Sequence, residues 1–138
     1  MGTYPAFAGG MIDLLLARDN YELSVRLLDA AALRHEALAT NLANIETPGF
    51  KRMDLSPDFA RQLEGYASAS DPAAALETLQ PTLAEDLTAR AVRPDGNNVQ
   101  LDRELLEMNR NALEFDTLAQ FASDSLKRLK TAITGRVM

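Results

Sequence analysis

The chain has 138 residues, enough for one domain, and only 6% of them are aromatic, with no Trp, so the apolar content falls to Leu and Ala, the residues of helical seams. The expected fold class is therefore all-α. A net charge of −6 disfavours phosphate backbones and anionic membrane surfaces, and the lack of any Cys excludes disulfides, thiolate metal sites and a Cys nucleophile.

Residues 1–20 form an N-terminal extension with the apolar run Leu14-Leu15-Leu16. No Lys or Arg precedes Arg18, and Gly9-Gly10 and Asp13 break the stretch, which argues against a cleavable signal peptide. No apolar run is long enough to span a bilayer, so direct membrane insertion is not expected. Myristoylation of Gly2 is not expected, because Ala6 stands where that motif needs Ser or Thr.

Residues 21–46 read as one N-terminal helix. Gly and Pro are lacking there, and Leu28, Ala31, His35, Leu38, Leu42 and Ile45 recur at spacings of three and four. Pro48 removes a backbone donor and biases Thr47 to extended geometry, so the helix should stop near Ile45 or Glu46. Residues 47–100 contain Pro48, Pro57, Pro72, Pro81 and Pro94 and read as a turn followed by a short irregular linker. Brief helical pieces around Asp58 to Glu64 and Ala73 to Leu79 are compatible with it.

Residues 101–138 read as a long C-terminal helix. Leu101, Leu105, Met108, Ala112, Phe115, Ala119, Ala122, Leu126, Leu129 and Ile133 sustain a heptad seam, with Gly135 as the stop. Acidic residues near its start and Lys127, Arg128 and Lys130 near its end complement the helix dipole. The two helices are expected to pack as a coiled-coil-like hairpin. The C-terminal seam should face the N-terminal helix or an adjacent subunit.

The most specific stretch runs from Asn41 to Arg52. Asn41 and Asn44 lie three apart at a helix exit, and Pro48-Gly49 suits the central positions of a type II turn, with Phe50 re-entering apolar surroundings. Physics alone makes this a helix terminator. The stretch also resembles the signature of flagellar axial proteins, whose long N-terminal helix ends in an Asn-rich turn followed by Thr-Pro-Gly and an aromatic residue. Thr40, Leu42 and Phe50 are mild departures from that pattern. Asp95-Gly96-Asn97-Asn98-Val99 with Leu101-Asp102, and Asn111-Ala112-Leu113-Glu114-Phe115, are similar to the C-terminal helix of proximal rod proteins of the FlgB type.

The resemblance covers both ends of the chain, and it implies a non-enzymatic rod subunit without cofactors. Such a subunit is exported without a cleavable signal peptide and polymerises through its terminal helices in the periplasm. Its implied partners are further copies of itself, the rod proteins FlgC and FlgF, the adapter FliE, the export gate and the MS ring. Its implied assembly motif is Asn41, Asn44, Thr47, Pro48, Gly49 and Phe50, with a second turn at Asp95, Gly96 and Asn97. The implied packing seam combines Leu28, Leu38, Leu42 and Ile45 with Leu105, Met108, Phe115, Ala122, Leu126, Leu129 and Ile133. Another rod subunit such as FlgC, or a soluble helical-hairpin adaptor holding one partner helix, are the alternatives.

Other chemistry finds little support. Aligning Gly96 with the sixth position of a calcium loop puts Ala91 at the first, where a ligand oxygen is needed. His35, the only histidine, is expected to pack on the stripe rather than to hold a metal. The carboxylates read as solvated helix faces, and no nucleophile and base stand out as a set.

Overall fold

A computed structural model describes residues 21–90 and 92–135; the N-terminal extension lies outside them. Helix α1 runs Tyr21–Ala43, strand β1 Met53–Leu55, helix α2 Pro57–Ala67, helix α3 Pro72–Glu77, strand β2 Leu83–Glu85 and helix α4 Leu101–Thr134. The molecule is mostly helical, and α4, with 34 residues, extends about 50 Å. Gly135 closes α4 at φ 64°, donating its N–H to the Thr131 carbonyl at 2.8 Å.

The middle segment is not an irregular linker. Ser56 and Asp71 cap α2 and α3 by accepting from the Asp58 and Ala74 amides, and each is followed by a proline at the first helical position, where a missing N–H costs nothing. Phe59, Leu63 and Tyr66 recur at four and three along α2 and are buried. They join Leu76 and Leu79 against Leu23, Leu27, Ala30 and Ala31 of α1 and Leu118 of α4. Burying side chains of this size contributes about 1.5–3 kcal/mol each, enough to hold two helices too short to persist alone.

Two short strands also qualify the all-α expectation. They pair antiparallel, with Met53 opposite Glu85, Asp54 opposite Ala84 and Leu55 opposite Leu83. This ribbon ties the start of the α2–α3 excursion to its end, and the Ser56 amide donates to the Thr82 carbonyl at 2.7 Å just beyond it. Strands of three residues carry too short an alternation to be read from sequence.

Helix α1 ends two to three residues before the expected Ile45 or Glu46, because the chain tightens into turns from Asn44 onward. Its buried residues are Leu23, Ser24, Leu27, Ala30, Ala31, Arg34, Ala37, Leu38 and Asn41. Compared with the expected stripe, this face is rotated around the helix: Ala31 and Leu38 are buried, Leu28, Leu42 and Ile45 are half-buried, and His35 is exposed rather than packed.

Candidate functional site

The two turn motifs, separated by some fifty residues in sequence, meet in space. After Asn44, the Thr47-Pro48-Gly49-Phe50 turn closes with the Phe50 amide donating to the Thr47 carbonyl at 3.3 Å, and Gly49 sits at φ 73°, as a type II turn requires. The Arg93-Pro94-Asp95-Gly96 turn closes through the Gly96 amide to the Arg93 carbonyl at 2.8 Å. Gly96 then takes φ 85°, and the Arg93 amide reaches the Asn97 carbonyl at 2.8 Å, a type I turn with a glycine bulge. The turns touch backbone to backbone: the Gly49 amide donates to the Asp95 carbonyl at 2.8 Å, and a Cβ on Gly96 would lie 3.5 Å from the Gly49 Cα.

Asn97 locks this clasp. Its fully buried side-chain amide donates to the carbonyls of Asn44, Ile45 and Thr47 at 2.9, 3.1 and 2.9 Å, while its Oδ1 accepts from the Val99 amide at 2.8 Å. The carbonyls of the turn that follows α1 are thereby satisfied by the turn that leads into α4. Arg93 adds a guanidinium donating to the Ile45 carbonyl, and Lys51 donates to the Gly96 carbonyl. The Asp95 carboxyl is held below the usual range chiefly because it accepts from the Asn97 amide. Replacing Gly49 with Val should lower stability by about 1–2 kcal/mol. That strain comes from the positive φ alone, since no atom lies within 4 Å of the would-be Cβ. Chemical denaturation checks it, and an unchanged midpoint would mean that the turn relaxes without loss.

Asn41 and Asn44 do separate jobs. Asn44 stays local, donating to the Thr40 carbonyl and accepting from the Thr47 hydroxyl. Asn41 is fully buried and pairs like a strand with Met53, donating to its carbonyl and accepting from its amide, both at 2.8 Å. It also donates to Glu104 at 3.1 Å.

That last contact opens onto a buried ion cluster between α1, β1, the β2 exit and α4. Arg52 donates through Nε to Glu104 and through Nη1 to Asp54 at 2.8 Å and Asp86 at 2.7 Å. Arg34 donates to Asp54 at 3.0 Å and to Glu107 at 2.6 Å. Both arginines are 1% exposed and Glu104 is 0% exposed, so these charges have left water and are held by one another. Around them, Asn98 Oδ1 accepts from the Arg52 amide at 2.6 Å, Asn111 donates to the Ala31 carbonyl at 2.9 Å, and Arg103 and Arg110 bridge Asp86 and Glu107 at the rim. Glu104 and Glu107 are thus not part of a solvated face, although Asp102 at the start of α4 is exposed. Glu104, Glu107 and Asn111 line the side of the helix that meets α1.

Burial pulls the Arg52 guanidinium toward neutrality, but the Asp54 charge and then the Glu104 hydrogen bond outweigh it and raise its pKa. For Asp86, burial pushes upward and is overcome by donation from the Thr88 hydroxyl and amide and by Arg52, so its carboxyl lies below the usual range. Glu114 is raised by burial against partial relief from Arg34. The signs give opposite pH effects. Asp86 contributes stability that is present above its unfolded pKa and lost as pH falls through the depressed folded value, whereas the Glu114 contribution is lost as pH rises through its raised value. Urea midpoints should therefore drop steeply below about pH 4. Asp86→Asn should flatten that acid limb, and Glu114→Gln should raise midpoints at neutral pH relative to those in acid. An acid limb unchanged in Asp86→Asn would remove Asp86 from the account.

Sequence reasoning missed Arg34, Arg52, Asp54, Asp86, Glu107 and the buried role of Glu104. A signal was present: Arg34 directly follows the apolar run Ala30-Ala31-Ala32-Leu33, and Glu104, Glu107, Asn111 and Glu114 recur at helical spacing.

The heptad seam lies elsewhere. Ala122 is buried and Met108 half-buried, but Leu105, Phe115, Leu126, Leu129 and Ile133 are 47, 40, 45, 54 and 77% exposed. Within one chain the seam does not form the α1–α4 contact. It runs along a neighbouring face of α4 and stays largely exposed among the described residues. Beside it lies a groove lined by Ala32 and His35 of α1 and by Asn111, Ala112, Phe115 and Asp116 of α4.

The two long helices thus share a buried polar junction, with a long apolar stripe exposed beside it among the described residues, the form of a helical structural subunit rather than of a catalytic site. The cluster carboxylates are engaged by guanidinium groups and not disposed as general bases. Among the described residues no group of three or more side chains could hold a metal ion, and no helix is long and apolar enough to cross a membrane.

No family model matches the chain. It is 34% identical over 126 residues to the flagellar basal body rod protein FlgB of Aeromonas hydrophila, covering 83% of this chain and 89% of that protein. It is 32% identical over 113 residues to FlgB of Aquifex aeolicus, with 75% and 83% covered, and 28% identical over 121 residues to FlgB of Escherichia coli K12, with 77% and 86% covered. The chain belongs to the FlgB family of flagellar basal body rod proteins.

Proposed function

We propose that this chain is a structural subunit of the flagellar basal body rod, of the proximal-rod type, and does no chemistry. The observation that carries this reading is the pairing of a rigidly clasped α1–α4 junction with an uncovered apolar stripe along α4, the arrangement a torque-bearing tube needs. Family membership supports the rod location and other rod components as neighbours. The finer assignment follows the family resemblance: polymerisation through both terminal helices, the Asn41-to-Phe50 and Asp95-to-Asn97 turns as the assembly motif, and FlgC, FlgF, FliE, the export gate and the MS ring as contacts. Export without a cleavable signal peptide and a periplasmic site of assembly belong to the same reading.

Deletion of the gene should abolish motility and leave basal bodies without rods, and expression of the chain should restore both. Electron microscopy of purified basal bodies reads the outcome. Rods that persist in the deletion strain would leave the helical-hairpin adaptor as the better reading.

A further inference from the structure

We infer that Asp95 is a site of spontaneous isomerisation to isoaspartate, shielded while the clasp is shut and open to reaction when the clasp opens. Asp95-Gly96 is the one place in the 138 residues where an Asp or Asn precedes a Gly. The reaction needs water and nothing else. The Gly96 backbone nitrogen attacks Cγ of Asp95, so that an N–Cγ bond forms, a Cγ–O bond breaks and one water leaves, taking the amide proton, the carboxyl proton and a carboxyl oxygen. A second water then opens the five-membered imide at one of its two carbonyl carbons. Cleavage between nitrogen and Cγ returns aspartate. Cleavage between nitrogen and the backbone carbonyl carbon leaves isoaspartate, whose main chain runs through Cβ and Cγ while the former carbonyl carbon becomes a free carboxylate. Nothing is oxidised or reduced, and the mass is unchanged. Glycine favours the ring, because it has no Cβ to crowd the attacking nitrogen and lets the backbone adopt the dihedrals that closure demands.

The folded clasp opposes each part of that step. The attacking nitrogen is pinned, its N–H donating to the Arg93 carbonyl at 2.8 Å. The carboxyl to be attacked is turned elsewhere, Oδ1 accepting from the Asn97 amide at 3.0 Å and Oδ2 from the Arg93 guanidinium at 3.3 Å. Both contacts favour the ionised carboxylate, which is a poor electrophile without a proton on its leaving oxygen. The Asp95 carbonyl is gripped by the Gly49 amide at 2.8 Å, so the bond between Asp95 and Gly96 cannot swing toward the side chain. Asp95 itself lies at the surface, within reach of water. Shielding therefore comes from geometry and not from burial.

The lesion falls on the clasp that prevents it. Isoaspartate adds one backbone atom between Asp95 and Gly96 and converts the acceptor for Gly49 into an oxygen on a side branch. Gly96 then no longer meets Gly49, and the Asn97 amide loses its register with the carbonyls of Asn44, Ile45 and Thr47. A chain modified while open cannot shut as before.

The test incubates the purified full chain at neutral pH, native and in urea. Isoaspartate is counted by methyl transfer from a labelled donor through a protein isoaspartyl methyltransferase and placed by fragmentation mass spectrometry of the peptide that carries Asp95. Accumulation at Asp95 should be at least about tenfold faster in urea, because a slow reaction of the native chain samples only its open fraction. Asn97→Ala removes three bonds of the clasp, leaves Asp95-Gly96 intact and should raise the native rate by about tenfold. Where circular dichroism shows that variant to be unfolded, Arg93→Gln takes its place and should raise the native rate by about threefold. Asp95→Glu, whose ring would need a sixth member, should lose the signal. Chain aged in urea and then refolded should show a lower urea midpoint than fresh chain. Equal rates in native buffer and urea, or a native rate unmoved in the folded variant, would remove the shielding, and no isoaspartate at Asp95 in urea would remove the site.

Discussion

Arg52→Met should destabilise the isolated chain by about 3–5 kcal/mol, the largest effect expected of any single substitution outside the apolar core. Methionine keeps much of the volume and length of the side chain, so the loss is of charge and not of packing. Asp54, Asp86 and Glu104 would then lose the cation they share, leaving Asp54 with Arg34, Asp86 with Arg103 at the rim and Glu104 with the Asn41 amide. For a protein whose total stability is in the ordinary range of about 5–15 kcal/mol, such a loss unfolds a visible fraction at room temperature. Arg52→Lys should fall between, because an ammonium cannot reach three carboxylates with a planar fork. Arg61→Met is the control: its partner Asp58 is on the surface, so less than about 1 kcal/mol should change. Urea midpoints decide the matter, and an Arg52→Met midpoint close to that of Arg61→Met would show the cluster to be energetically idle.

Such a cluster also explains why the chain was only partly legible. Periodicity found both long helices because it reports where a helix can form, and Gly135 closes α4 where a glycine was read as the stop. It misjudged which face turns inward. Hydrophobic spacing assumes that the driest side chains are apolar, whereas the first half of the α4 inner face is Glu104, Glu107 and Asn111, opposite Arg34 on α1. Each is unfavourable to bury alone and tolerable only with partners that lie up to 80 residues away, a pairing that no local window contains. The middle segment is legible as two short helical pieces, which Pro57 and Pro72 start and the residues before them cap, but not as a packed unit, because its partners lie on the long helices. The turns were the reverse case. Asn-Thr-Pro-Gly and Asp-Gly-Asn carry their geometry in local backbone preference, so both could be recognised singly, but that Asn97 would close one onto the other could not.

The exposed stripe supplies the prediction on which the functional reading depends most. Leu126 is 45% exposed in the single chain, so Leu126→Asp should leave the isolated protein within about 0.5 kcal/mol of wild type. In an assembled rod the same aspartate would be enclosed against a neighbouring subunit without a partner, at a cost of several kcal/mol per contact. Folding and assembly therefore come apart in one variant, which a merely structural leucine would not allow. Cells making only Leu126→Asp should secrete the subunit and fail to build rods and hooks, whereas Ser123→Asp, also exposed but off the stripe, should swim. Denaturation of the purified variant, secretion assays and micrographs of basal bodies measure the three quantities. A Leu126→Asp protein that is stable, secreted and still builds normal filaments would show that this face of α4 stays in solvent, and the stripe would lose its place in the assembly.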